Sequence, residues 1–440
     1  MTTVANPRTD GAPSWRPTVA YFRAAVGATT MIAFALIWRR PDLLVIATPA
    51  AVATVWSLLT RPGASPVLVE RTGHPTIREG DATTWHGTIS GSDEVDLAVA
   101  ELDDAPWFET VPTAGVVTAA AVDGSANLEI RVRSTRWGTR PIEPVHVSAA
   151  TAWGAYRWST VTPRHLLTTL PLPPLFDVGA SPRPDDGLIG LHRSTRSGEG
   201  NEFAGIRPFH TGDRMRRINW TRSARSNELQ VNSTWADLDT HIALVIDATD
   251  DYGVSEGIDG LASSLDAAVR AAGAIAEHYT LRGDRVSLRV FGTTSPHTVS
   301  PGTGRTHLRR ILDTLARVTP STLTRSRYRT PASRQRGTVG GQITVLLSPL
   351  IAPEALDLAV ALGRQGMAVI VVDTLADHTA EHDDPYVALA WRIRLLERRR
   401  EVRMVLSAGI PVIEWHGPGS LDHVLRDIAH RSAGPRMARR

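Results

Sequence analysis

The chain of 440 residues contains no cysteine and no lysine. The absence of cysteine excludes a disulfide framework, a Cys-ligated zinc or iron–sulfur site and a cysteine nucleophile. All 48 basic residues are arginine, which excludes a phosphate-loop lysine, a Schiff-base lysine and a pyridoxal site. The 45 acidic residues nearly balance them, and the net charge of +3 is too small to indicate nucleic-acid binding. At roughly 150 residues per domain, the length predicts about three domains.

Two long apolar segments follow an N-terminal tail of residues 1–17. Residues 18–38 contain one charged side chain, Arg23, and residues 43–59 contain none. A helix of about 17–25 apolar residues crosses a bilayer, so we expect a transmembrane helical hairpin over residues 18–60. More arginines flank the pair than lie in its turn, which places the rest of the chain in the cytoplasm, at a two-pass cell membrane anchor. A cleaved signal peptide is the alternative, but no cleavage-like site separates the two segments.

The remaining chain changes its hydrophobic pattern twice. Short alternating runs over residues 65–169 predict an antiparallel β-sandwich-like domain. Prolines mark a linker over residues 170–197, and an arginine-rich segment without clear period occupies residues 198–240. Uninterrupted apolar strands then alternate with helices over residues 241–434, and the predicted helices include residues 261–279 and 421–430. This alternation predicts an α/β domain with a mostly parallel sheet. Ligands of such sheets bind outside the carboxyl ends of the strands, where Asp247, Ser348 and Asp373 lie.

Oxygen-bearing side chains alternate directly after the first strand of this α/β domain, at Asp247, Thr249 and Asp251. Hard cations such as Mg²⁺ prefer several oxygen ligands. The spacing resembles the Asp-x-Ser-x-Ser metal-ion-dependent adhesion site of von Willebrand factor A domains, to which Thr303 or Thr306 would add a ligand. The aspartate expected after the fourth strand is absent. The alternative is a degenerate site in which Asp247 binds only backbone amides.

The arginine-rich segment combines six arginines, with Arg196 just upstream as a seventh, with acidic and aromatic side chains. It is interpreted either as an ion-pair network that fixes a loop or as a docking surface for an acidic partner. Nucleic acid is disfavoured because acidic residues interleave with the arginines.

One group of residues within this segment carries a family resemblance. The residues are Glu202, Phe203, Gly205, Arg207, Gly212, Asp213, Arg216, Trp220, Ser223, Ala224 and Arg225. The pattern resembles the hallmark of the domain of unknown function 58 family, except that Asn219 stands where an aspartate is common. The resemblance implies a membrane-anchored protein with a von Willebrand factor A-like (Rossmann-like) domain. It also implies a MoxR-type AAA+ ATPase as partner, chaperone-like or envelope-assembly work, and no demonstrated catalysis.

Three further motifs are weaker. His378, Glu381 and His382 match the H-x-x-E-H pattern of zinc hydrolases, but the motif is expected on a loop, which disfavours a metal site. The glycine-containing turn at residues 301–306 lacks the lysine of a phosphate loop. The arginine-rich helix predicted over residues 385–405 is interpreted as a solvated face rather than a lipid-binding face, because Glu397 and Glu401 dilute its charge.

The sequence therefore predicts a non-enzymatic, membrane-anchored cytoplasmic adaptor. Its docking surface is expected to combine the arginine-rich segment with the edge of the sheet near Asp247. A metal-dependent receptor for an acidic protein ligand is the alternative, with Mg²⁺ as the candidate cofactor, and a zinc hydrolase is the third hypothesis. We expect no small-molecule substrate.

Overall fold

The structure is a computed structural model, and its chain divides into two compact units, Met1–Leu170 and Pro171–Arg440. The residues it describes are 2–4, 13–151, 153–172, 193–210, 213, 215–226, 228–237, 241–293, 297–320, 342–365, 367–375 and 384–415.

The first unit begins with the two predicted apolar helices, α1 (Val19–Trp38) and α2 (Pro41–Leu59), which pack against each other. The Thr18 side chain caps α1 by accepting a hydrogen bond from the Tyr21 backbone N–H at 3.3 Å. Pro41 begins α2, because its fixed φ suits a first helical position that needs no N–H donor. Both helices are long and apolar enough to cross a membrane. Most of their large apolar side chains are exposed rather than packed in a protein core.

The strands of the first unit form three sheets. Their bounds are β1 (Thr2–Val4), β2 (Arg16–Pro17), β3 (Val67–Thr72), β4 (Thr76–Arg78), β5 (Ala82–Ser90), β6 (Leu97–Leu102), β7 (Phe108–Val111), β8 (Val116–Ala120), β9 (Ala126–Ser134), β10 (Gly138–Ile142), β11 (Val145–Thr151), β12 (Tyr156–Val161) and β13 (His165–Leu170). Two five-stranded antiparallel sheets have the orders β1-β3-β5-β9-β7 and β2-β12-β11-β6-β8. A three-stranded mixed sheet has the order β10-β13-β4.

Both five-stranded sheets contribute side chains to one hydrophobic core. Trp85 and Ile130 come from the first sheet, and Ala98, Val147 and Trp158 come from the second. Buried and exposed residues alternate along β5, β9 and β11, as expected of strands with one face on a core and one in water.

The second unit contains an antiparallel pair of strands followed by a six-stranded sheet. Its elements are β14 (Arg193–Pro208), a short 3₁₀ helix (Met215–Arg217), α3 (Trp220–Ser226), β15 (Gln230–Asp237), β16 (His241–Asp247), α4 (Ser264–Leu281), β17 (Arg285–Phe291), β18 (His297–Gly302), α5 (Gly304–Leu315), β19 (Gln342–Ser348), α6 (Pro353–Arg364), β20 (Ala368–Asp373), α7 (Pro385–Ser407) and β21 (Val412–Glu414). The sheet order is β18-β17-β16-β19-β20-β21, and every neighbouring pair is parallel except β17–β18.

The six-stranded sheet is buried on both faces at its centre. Val245, Leu346 and Val371 pack on one face with α6 and with Val405 of α7. The intervening residues of β16 are also buried, and α4 contacts β16, β17 and β19. The predicted, mostly parallel sheet is therefore present.

Three local expectations were wrong. β18 is an antiparallel edge strand that no pattern predicted. β14 begins at Arg193, inside the predicted linker. The helix predicted from residue 261 begins at Ser264, because Ser263 and Asp266 form a reciprocal capping box. The helix predicted over residues 421–430 lies outside the described residues.

Candidate functional site

The arginine-rich segment of residues 198–240 contains the hallmark residues, and we call it the hallmark segment. Within it, β14 pairs with β15, and α3 precedes β15. The buried hydroxyl of Ser223 donates to the Asn219 carbonyl at 2.8 Å and accepts from the Gln230 backbone N–H at 2.8 Å. A residue on the short helix is thereby fixed to the first residue of β15. Ser223 is thus a structural member of the hallmark.

Arg207 and Asp213 form a two-pronged ion pair in this segment. The guanidinium donates to both carboxylate oxygens, at 2.7 and 2.6 Å. Asp213 also accepts from the His210 backbone N–H at 2.8 Å. The Arg207 bonds, and then the His210 N–H, lower the pKa of Asp213 to about 2. Among the residues that the structure describes, the expected ion-pair network includes this well-formed pair, which closes the turn after β14.

Asn219, which directly precedes α3, uses both ends of its side-chain amide. Its side-chain oxygen accepts from the Arg222 backbone N–H at 3.0 Å, which caps the start of α3. Its amide donates to the Asn232 side-chain oxygen at 3.0 Å. An aspartate would retain the cap, but Asn232 would then have to turn its own amide group toward it.

Large apolar side chains of the hallmark segment are exposed. Phe203 is 61% exposed and Trp220 66% exposed, and Ile206, Met215 and Leu229 are exposed with them. We name these five residues the hallmark surface. Exposed large aromatic and aliphatic side chains that come from one segment are a common feature of interaction sites.

Three arginines of the segment are also exposed: Arg216, Arg222 and Arg225. No ion pair joins any of them to another described residue. Among the described residues, the segment therefore presents exposed positive charge as well as aromatic surface.

The other hallmark residues have varied positions. Ala224 is exposed on α3. Gly205 has room for a side chain, since an added Cβ would meet only the Ser233 hydroxyl, at 3.7 Å. Gly212 and the side chain of Glu202 lie outside the described residues.

Asp247 lies at the carboxyl end of β16 and is only 2% exposed. One carboxylate oxygen accepts from the Thr249 hydroxyl at 2.7 Å and from its backbone N–H at 3.1 Å. The other oxygen accepts from the Ser348 hydroxyl at 2.7 Å. Burial raises the pKa of Asp247, and these hydrogen bonds oppose the rise. The carboxylate thus joins β16 to β19, and its burial keeps it from contacting a docked partner directly.

The four candidate metal ligands do not come together. Asp251 accepts from the Ser263 hydroxyl at 3.0 Å and from the Leu265 N–H at 3.0 Å, so it serves the start of α4. Thr303 follows Gly302, which pairs with Val286, whereas Asp247 pairs with Phe291 five residues further along β17. At about 3.3 Å per residue, Thr303 lies roughly 16 Å away along the sheet.

The residues around Asp247 therefore do not fit a complete magnesium shell. Within the described ranges, the side chains that bind the carboxylate are those of Thr249 and Ser348, and both hydroxyls donate to it. Magnesium requires near-octahedral coordination by six oxygens. The expectation that Thr303 lies beside Asp247 was wrong. The residue found there is Ser348, which stands where the motif would place its aspartate.

Asp373, at the end of β20, is held by α7. Arg398 donates one bond to the Asp373 carboxylate and another to the Pro349 carbonyl at 2.9 Å. Burial raises the pKa of Asp373, and the Arg398 charge opposes the rise. Arg394 donates to the Ile351 carbonyl at 2.6 Å, so two arginines fix α7 to the loop after β19. These contacts were missed because the sequence does not say which arginines of the helix face the sheet.

The zinc hypothesis concerns His378, Glu381 and His382, which lie outside the described residues. Within the part of the chain that the structure describes, no group of three or more histidine, aspartate or glutamate side chains could hold a metal ion.

The geometry defines an α/β protein with a mostly parallel sheet, preceded by a β-rich unit with two long apolar helices. Residues 205–402 match the family model described as protein of unknown function DUF58. It is 30% identical over 193 residues to an uncharacterized protein of Mycobacterium bovis and to uncharacterized proteins of two Mycobacterium tuberculosis strains. The matched part covers 43% of this chain, and the chain spans about half (52%) of the length of these relatives.

Proposed function

We propose that the protein is a non-enzymatic, membrane-anchored adaptor whose hallmark surface docks a protein partner. The observation that carries the proposal is the combination of exposed Phe203 and Trp220 with exposed Arg216 and Arg222, which form no ion pair with any side chain that the structure describes. Aromatic residues and arginine are enriched among the side chains that dominate binding energy at interfaces. The buried polar groups Asp247 and Asp373 each make structural hydrogen bonds, so neither calls for a catalytic role.

The anchoring part of the proposal rests on α1 and α2. Both have the length and apolar composition of membrane spans, and their apolar side chains are exposed. The arginine distribution of the flanks supports a cytoplasmic position for the rest of the chain at the cell membrane.

A von Willebrand factor A-like fold is proposed for the six-stranded sheet. Five parallel strands with one antiparallel edge strand, and helices on both faces, support this assignment. The resemblance to the family supports a MoxR-type AAA+ ATPase as the proposed partner, in chaperone-like or envelope-assembly work. The exposed arginines suit an acidic patch on that partner.

The test is affinity capture of the tagged full-length chain from native membranes, with co-purifying proteins identified by mass spectrometry. The proposal predicts recovery of an AAA+ ATPase with Mg²⁺ present and equally after chelation by EDTA, because the Asp247 cluster is buried and lacks a complete ion shell. Recovery lost on chelation would favour the metal-dependent receptor instead. Absence of an ATPase in both conditions would refute the partner assignment.

A matched pair of tryptophan variants tests the surface itself. Trp220→Ala should abolish capture, whereas Trp153→Ala, which removes another highly exposed tryptophan outside the segment, should leave it unchanged. Equal capture by both variants would place the docking surface elsewhere.

A further inference from the structure

Helix α7 carries a second apolar face directed away from the domain. Its inward face contains Arg394, Arg398 and the buried Val405. At 100° per residue, the residues opposite that face are those near Leu389, Ile393 and Leu396. A helix needs only one apolar face to pack on its own domain, so the second face requires a separate explanation.

The outward apolar stripe follows helical spacing over the length of α7. Its members are Tyr386, Leu389, Ile393, Leu396 and Met404, and Leu396 is 62% exposed. The first four are separated by three, four and three residues, which is the spacing of a single helical face. From Tyr386 to Met404 the stripe extends for about 27 Å at 1.5 Å per residue.

Four exposed arginines lie in or beside the stripe: Arg392, Arg399, Arg400 and Arg403. The two glutamates of the helix do not neutralise them. Glu401 binds Arg394 at 2.8 Å and Glu397 binds the same arginine at 3.4 Å, so the acidic residues serve the inward contact. The four outward arginines pair with no acidic side chain among the described residues. The sequence predicts that Glu397 and Glu401 reduce the positive charge of the helix, but they do not pair with the arginines of its outward face.

We propose that this face of α7 lies on the surface of an anionic lipid bilayer. An apolar stripe flanked by arginines is the arrangement of helices that lie in the plane of a membrane interface. The charge complements anionic headgroups, and each arginine near such a surface changes partitioning about fivefold. The occupant is a membrane because α1 and α2 have the length and composition of membrane spans, so the proposal rests on the anchoring part of the proposed function.

The absence of native cysteine allows a direct test in the full-length chain. A spin label is attached to Leu396→Cys, and the protein is reconstituted into nanodiscs of phosphatidylcholine alone or mixed equally with phosphatidylglycerol. Power saturation then compares the label's access to oxygen, which concentrates in lipid, and to a water-soluble nickel chelate. Co-elution of the chain with the nanodiscs tests anchoring separately from the position of α7.

The proposal predicts strong protection of the label from nickel in anionic nanodiscs and little protection in neutral ones. When Arg399→Glu and Arg403→Glu are added, the label at position 396 should become accessible to nickel in anionic nanodiscs. Adding Arg309→Glu instead, at an exposed position on α5, should leave the protection of the label unchanged. A label at Arg310→Cys, on α5, should remain accessible throughout.

Three outcomes would overturn the proposal. One is free access of nickel to position 396 in both lipid compositions. Another is protection that is equal in neutral nanodiscs, anionic nanodiscs and detergent, because that result would identify protein, not lipid, as the cover. The third is protection that persists with both arginines replaced.

Discussion

Replacing Arg398 by methionine should release α7 from the edge of the sheet. The guanidinium is 12% exposed and pairs with Asp373, whose side chain is 9% exposed. Arg398→Met keeps most of the side-chain volume but leaves the carboxylate buried without its charge partner. Removing one member of a buried ion pair costs about 3–5 kcal/mol. We therefore expect the free energy of opening α7 to fall by about that amount at neutral pH.

The loss should depend on pH in a defined direction. Burial raises the pKa of Asp373 in the folded state, and Arg398 opposes the rise, so the variant has a still higher folded pKa. A folded pKa above the unfolded one means that the folded state binds more protons between the two values. The stability that comes from protonating Asp373 in the folded state is fully present below the unfolded pKa of about 3.9. It is lost as the pH rises through the folded pKa. Arg398→Met should thus be least harmful near pH ~4.

Hydrogen exchange of the amides in α7 measures the effect in the full-length protein. A loss of about 3 kcal/mol corresponds to exchange roughly 100-fold faster after correction for intrinsic rates. Arg399→Met is the matched control, because Arg399 is the next residue of the helix and is exposed; it should change the opening free energy by less than about 0.5 kcal/mol. Equal exchange in the two variants at neutral pH would refute the reasoning.

Three further predictions concern stability, measured by thermal unfolding of the full-length chain. The effects of Arg207→Ala and Asp213→Ala on stability should be non-additive because both remove the same ion pair, and strict additivity would contradict the pair. The pKa of Asp213 is lowered to about 2, so the stability that the pair contributes is present above pH of about 3.9 and is lost as the pH falls through about 2. Asp247→Ala should destabilise the chain by about 1–3 kcal/mol, because the buried Ser348 hydroxyl and the half-buried Thr249 hydroxyl lose their acceptor. Mg²⁺ should not stabilise the parent chain; stabilisation by Mg²⁺ that the variant lacks would instead demonstrate a bound ion. Gly292→Ala should destabilise the chain more than Gly283→Ala. Both glycines have φ near +80 to +90°, but only at position 292 would an added Cβ collide with the Thr249 backbone. Equal losses of stability would show that backbone strain alone decides the effect.

Several elements were predictable because their physical signal is local. β16, β19 and β20 are buried on both faces, so each is an uninterrupted apolar run that ends in a polar residue. The two membrane-length helices were predictable for the same reason, since a span of about 20 apolar residues has few alternative explanations. β18 was not, because it is a short edge strand that contains Pro301 and Gly302. Register shifts in the β14–β15 pair removed the alternation that would have revealed β14.

Side-chain pairing was the least predictable feature. Arg398 and Asp373 are 25 residues apart, and nothing local distinguishes Arg398 from its neighbours on α7. The oxygen spacing after β16 correctly identified a polar cluster at Asp247, but it did not reveal that Asp251 serves α4. These assignments depend on where the helices cross the sheet, which is a tertiary property. Arg207 and Asp213, only six residues apart, were predictable because a tight turn brings them together.

The central claim is that the hallmark surface binds the partner ATPase, and the most direct measurement is the dissociation constant between the two purified proteins. The full-length chain is held in nanodiscs, and the parent, Trp220→Ala and Trp153→Ala are compared. Loss of an aromatic anchor worth about 2 kcal/mol weakens binding roughly 30-fold. We expect this weaker binding for Trp220→Ala, and affinities for Trp153→Ala and for the parent chain that are equal. Unchanged affinity of Trp220→Ala, with parent binding intact, would contradict it.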